Sequence, residues 1–136
     1  MGQFKVLEYL RELNAAVGNS LNMNNRSMTR FPIEVCSIDR LRGLDLSNNA
    51  MSSIPEQVEE LILCTILDCS FNQIEQVSAN IAKMEVLEEL KMSNNLLVDA
   101  GCIFLCSKLS KLTLDVNHIE ECGPYLANMP HLKSMS

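Results

Sequence analysis

Apolar residues return along this chain in a fixed phase. Matching windows start at 18, 41, 64, 87, 109 and 132. The period is therefore about 23 residues, a length that suits a stacked repeat. The clearest windows carry apolar side chains at positions 1, 4, 6 and 11 and asparagine at position 9. They read Leu41, Leu44, Leu46, Asn49, Met51; Cys64, Leu67, Cys69, Asn72, Ile74; Leu87, Leu90, Met92, Asn95, Leu97; and Leu109, Leu112, Leu114, Asn117, Ile119. The first window keeps Leu21, Met23 and Met28 but has Arg26 at position 9, and the sixth runs from Leu132 to Met135. Side chains alternate faces along a strand, so positions 4 and 6 fit a short strand facing a shared core. The pattern predicts strands over 20–24, 43–47, 66–70, 89–93 and 111–115.

The asparagine at position 9 falls where the chain must turn away from the strand. A buried turn leaves peptide groups without partners, and a carboxamide offers both donors and an acceptor to satisfy them. Arg26 breaks the series. This predicts a distorted or half-solvated first repeat, as terminal repeats often are. The returns between strands differ. Phe31-Pro32 and Ile54-Pro55 precede spaced apolar residues. They predict short helical or 3₁₀ segments, because proline presets a helical first turn. The stretch from Asp99 to Leu109 has no proline and reads as a fuller α-helix, and Glu121 to Leu126 begins similarly. Ahead of the repeats, Phe4, Leu7, Leu10, Leu13 and Val17 recur at helical steps. Residues 1–17 are expected to form an amphipathic helix capping the first repeat, with a partner-binding helix as the other reading.

The L-x-x-L-x-L-x-x-N-x-L register resembles the leucine-rich repeat superfamily over residues 18–135. The resemblance implies an α/β fold: a right-handed solenoid with a parallel concave sheet and short helices or 3₁₀ turns on the convex side. The early returns are similar to those of small intracellular members, and the later ones to the ribonuclease-inhibitor type. Members include regulators of phosphatases and small GTPases, dynein-associated subunits and splicing-factor subunits. The implied role is a protein-binding scaffold, adaptor or regulatory subunit, with a structural subunit of a larger assembly as the alternative.

Composition narrows this further. The formal charge of −6 comes without a basic stripe, which argues against a direct nucleic-acid binder. No apolar run approaches the ~18 residues of a spanning helix, and no signal peptide is read at the start. Met1-Gly2 is followed by Val6 where a myristoylation signal has Ser or Thr. Of the six cysteines, Cys64 and Cys69 occupy core positions of the motif. The thiols are therefore expected to be reduced and the protein cytoplasmic. Cys102 and Cys106 sit four apart, but without the paired spacing of a structural zinc site burial is the expected role. No metal or cofactor is expected.

Catalytic signals are sparse. His118 and His131 share no motif with a nucleophile, and no phosphate loop or hydrolase elbow is present. Asp45 and Asp68 share position 5 in adjacent repeats, roughly 5 Å apart. Two such carboxylates can do acid/base work; the plainer reading is an acidic patch awaiting a partner, and no enzyme is expected.

Recognition falls to positions 2, 3, 5, 7 and 8, which the pattern points outward. Position 8 runs Asn25, Asn48, Phe71, Asn94, Val116. Ile66 and Phe71 stand out as outward apolar residues among charges, the usual make-up of an interface hot spot; the alternative is that Phe71 merely packs over the turn. The expected partner-binding residues are Asp45, Ile66, Asp68, Phe71, Glu89, Lys91 and Lys111, acidic in the first half and basic in the second. The expected state is a monomer or one subunit of a hetero-complex. An uncapped final strand predicts a weak C-terminal edge, from a shortened chain or an end covered by a partner.

Overall fold

The computed structural model describes residues 19–38 and 40–119 and the backbone of 134–135. The proposed capping helix at 1–17, the return at 121–126 and most of the C-terminal edge lie outside the described residues. Six parallel strands stack in repeat order: β1 (Ser20–Asn22), β2 (Gly43–Asp45), β4 (Ile66–Asp68), β6 (Glu89–Lys91), β7 (Lys111–Thr113) and β8 (Ser134–Met135). The register is that of the motif, with Leu21, Leu44, Leu67, Leu90, Leu112 and Met135 aligned as one row. The strands are shorter than the pattern predicts and end at position 5. Beyond it the chain still bonds sideways, Met23 N–H to Asp45 O at 2.8 Å and Cys69 N–H to Lys91 O at 2.8 Å. A turn then bends it out of the sheet.

The core is the motif made solid. Leu44, Leu46, Met51, Cys64, Leu67, Cys69, Ile74, Leu87, Leu90, Met92 and Leu97 are all buried. No repeat could bury this face alone, and stacking removes it from water.

The turn at position 9 is held by a ladder of asparagines. Asn72 Nδ2 donates to Leu46 O in the preceding repeat and to Cys69 O in its own, both at 3.0 Å, and its Oδ1 accepts from Met51 N–H at 3.0 Å. Asn95 does the same with Cys69 O, Met92 O and Ile74 N–H. Asn49 and Asn117 repeat the arrangement on either side. In the first repeat Arg26 is exposed and Ser27 adopts a φ of 55° that the later repeats do not need. That repeat is distorted, as its missing asparagine predicts.

The convex returns are 3₁₀ helices: η1 (Ile33–Ser37), η2 (Glu56–Glu60), η3 (Ala79–Lys83) and η4 (Ile103–Leu105). Pro32 and Pro55 precede the first two, as expected. Ser78 takes that place before η3, its hydroxyl accepting from Asn80 N–H at 3.2 Å.

The expected α-helix at 99–109 is not formed; only η4 lies there. The buried residues of this return, Leu97, Ala100, Ile103, Cys106 and Leu109, step by threes. Three residues make one 3₁₀ turn, so this spacing keeps them on one line, whereas at the longer α-helical turn they would spiral off the core. Phe104, also buried, gives the one bond of α type, to Ala100 O at 3.3 Å. Cys102 and Cys106 therefore do not share a helix face. Their thiols contact Val77 O at 3.5 Å and Ile81 O at 3.6 Å in the repeat below.

A second small sheet was not legible in the pattern: β3 (Ser53–Ile54) pairs in parallel with β5 (Gln76–Val77) on the return side. The equivalent residues of the next repeat, Asp99 and Ala100, do not join it. Asp99 Oδ1 instead accepts from Gly101 N–H at 2.8 Å and turns the chain away. The contact between Cys102 and Val77 O covers part of the strand edge left beside β5.

Candidate binding surface of the parallel sheet

The solvent face of the main sheet carries the outward columns. Position 3 aligns Ser20, Gly43, Ile66, Glu89, Lys111 and Ser134; position 5 aligns Asn22, Asp45, Asp68, Lys91 and Thr113. All seven sequence-predicted residues lie on this face or at its turn end. Ile66 is 45% exposed and Phe71 54%. Phe71 leaves about half of its surface open to solvent at the turn end of the face.

Position 7 corrects the expectation in two repeats: Ser47 and Ser70 are buried rather than outward, whereas Ser93 is half-buried and Asp115 exposed. The chain is already turning there, and the Ser47 and Ser70 carbonyls each accept from the position-8 N–H of the repeat below, at 3.2 and 3.0 Å.

The two aspartates are partly committed to this turn. Asp45 Oδ1 accepts from Ser47 N–H at 2.9 Å and Ser47 Oγ at 2.6 Å, and Asp68 Oδ1 accepts from Ser70 N–H at 3.0 Å. This Asx arrangement explains why short polar residues recur at position 5. One oxygen of each carboxylate holds the backbone, and the other is left for contact from outside.

The basic half of the face is weaker than its sequence. Lys91 Nζ lies 3.5 Å from Glu89 Oε2 on the same strand, a half-exposed pair whose charges largely offset. Lys111 is exposed. Asp115, also exposed, accepts from Ser93 Oγ at 2.6 Å and adds an acidic group to the second half. The expected acidic-to-basic order is therefore blurred, with Arg42 exposed at position 2 in the first half and Asp115 in the second.

Position 8 holds a feature the pattern did not predict. Asn25, Asn48, Phe71, Asn94 and Val116 all have φ of 56° or 57°, in the left-handed region. Asparagine tolerates this conformation; other L-residues lose about 1–2 kcal/mol there, and a β-branched residue is a genuine outlier. Val116 is 66% exposed, so packing does not explain its presence. Sequence reasoning noted the column but left Val116 out of the candidate set. The three asparagines are the signal that would have marked a left-handed position.

Among the described residues no group of three or more His, Cys, Asp or Glu side chains is placed to hold a metal ion. No helix among them is long and apolar enough to cross a membrane. Cys36, Cys64, Cys69, Cys102 and Cys106 are free thiols. Burial first, then Glu60, pushes Cys36 up to about 12; burial first, then Cys102, pushes Cys106 up to about 12; burial pushes Cys64 up to about 11. The thiols of an unfolded chain ionise near 9.0, so it releases protons first as pH rises. Stability is expected to be intact below about pH 9 and to fall between about 9 and 12. Urea midpoints should drop on raising the pH from about 8 to about 10.5, with a shallower drop in Cys106→Ala. An equally steep drop in that variant would show that this thiol does not contribute.

The sequence profile described as Leucine Rich Repeat matches residues 40–61. Solved structures superpose on nearly the whole chain. A leucine-rich repeat protein of Leptospira interrogans is 25% identical with a TM-score of 0.78, over 85% of this chain and 30% of that one. An internalin of Listeria monocytogenes is 26% identical with a TM-score of 0.76, over 87% of this chain and 34% of that one. The ectodomain of the receptor kinase SOBIR1 of Arabidopsis thaliana, at 21% identity and a TM-score of 0.71 over 85% of this chain and 66% of that one, shares the fold. The chain thus spans about a third of the length of the first two. With the register and the asparagine ladder, these likenesses show the leucine-rich repeat fold, and residues 40–61 match the repeat itself.

Proposed function

We propose that this chain is a non-enzymatic protein-interaction module, a scaffold, adaptor or regulatory subunit, that takes a protein partner on the solvent face of its parallel sheet. The observation that carries the reading is Ile66 and Phe71 standing open on one repeat beside Asp45 and Asp68, each with a carboxylate oxygen that the fold does not use. Apolar anchors with a polar surround are the usual make-up of a protein interface. We place the module in the cytoplasm, which the five free thiols among the described residues support, four of them buried in the core. The Arabidopsis SOBIR1 structure is an ectodomain, so the fold alone assigns no compartment.

Affinity capture from lysate with the wild type and with the double variant Phe71→Ala/Asp68→Lys tests the site. Both proteins are first checked for a folded circular dichroism spectrum. A protein retained by the wild type and lost from the variant supports the reading. Equal retention of every captured protein by both would move the binding surface elsewhere.

A further inference from the structure

Building on the proposed sheet-face site, we propose that Phe71 and Val116 are a paired anchor for one kind of partner: a basic amphipathic helix lying along the turn end of the sheet, across the strands. The fold demands a left-handed residue at position 8 in each of the five described repeats, and Asn25, Asn48 and Asn94 meet that demand at low strain. Phe71 and Val116 do not, and each leaves more than half of its surface open, 54% and 66%. Strained, exposed apolar residues that the fold would exchange for asparagine point to a contact outside the chain.

The spacing selects the partner. Phe71 N–H bonds Ser93 O at 2.9 Å and Asn94 N–H bonds Asp115 O at 3.0 Å, so the three position-8 residues lie one strand apart each. At ~4.8 Å per strand the two anchors are about 10 Å apart with Asn94 between them. Residues i and i+7 of an α-helix lie on one face about 10.5 Å apart, with i+3 and i+4 between them. An extended peptide puts same-face residues at about 7 or 13 Å and misses both anchors at once. The charge follows from the surroundings: Asp68 and Asp115 flank the row, and Lys91, on the strand between them, is paired with Glu89.

The test has two arms. In the first, Val116→Asn should raise the folding equilibrium constant about tenfold, read as a higher urea midpoint. Phe71→Asn should raise it less, because Phe71 is the more covered of the two residues and loses packing on truncation. In the second arm the probe is a synthetic helical peptide with leucines at i and i+7, alanine at i+3 and i+4, and flanking lysines, followed by fluorescence anisotropy. It should bind at least about tenfold tighter than peptides of the same composition with leucines at i and i+5, or with glutamates in place of the lysines. Each asparagine variant should weaken binding by a similar factor while leaving the protein more stable. A lower midpoint for Val116→Asn, equal binding of the scrambled peptide, or preference for an extended peptide would each overturn the proposal. So would binding that is lost in Asp68→Lys and kept in both asparagine variants, although that result would leave the broader sheet-face reading standing.

Discussion

Asn72→Ala is expected to lower stability by about 3 kcal/mol. The carboxamide is buried and serves two repeats at once. Its removal leaves Met51 N–H without an acceptor and takes one of two carboxamide donors from Leu46 O and Cys69 O, which keep Asn49 and Asn95, in a turn that water does not reach. The one buried group left unpaired costs about 1–3 kcal/mol, and the two carbonyl bonds that are lost bring the total to the upper end of that range. Asn94→Ala is the comparison. From sequence alone this half-buried position-8 residue would be nearly neutral, but its φ of 57° is left-handed. That raises the expected cost to about 1 kcal/mol. Urea denaturation of the two variants measures the gap. Equal midpoints would mean that the ladder does not hold the turns, and the assignment of position 9 would fall with it.

Phe104→Ala should cost about 3–5 kcal/mol, the range for truncating a buried aromatic ring. Phe104 is fully buried and is the largest of the wholly buried side chains. It lies in the return before β7, which has one residue fewer than its neighbours, between Ile103 and the contact of Cys106 with the repeat below. A short return has little freedom to collapse into the space that the ring would leave. Leu105, one residue on, is 55% exposed. Leu105→Ala should stay within about 0.5 kcal/mol of the wild type. A small loss for Phe104→Ala would show that the return repacks readily and that η4 is not rigid.

The outward set was partly legible. Ile66 and Phe71 were readable because an apolar residue at a position the core does not use is an anomaly in the pattern itself. The neutralising of Lys91 was not, because Glu89 reaches it only through the alternation of one short strand. Val116 was passed over because valine looks ordinary until its backbone angle is known.

The solenoid, its register, its core and its asparagine ladder could all be read from the order of residues. These depend on which side chains must leave water, and a period of about 23 residues repeats that demand until only one stacking satisfies it. What the backbone does between those fixed points came from the packing of the folded repeats. Buried positions stepping by three drew the expected helix at 99–109 into a single 3₁₀ turn. The exit from β2 and β4 tucked Ser47 and Ser70 inward. The turn imposed a left-handed angle on position 8 whether asparagine, phenylalanine or valine stood there. Local preference at such positions is worth a kilocalorie or two per residue, and the packing of whole repeats against one another overrides it.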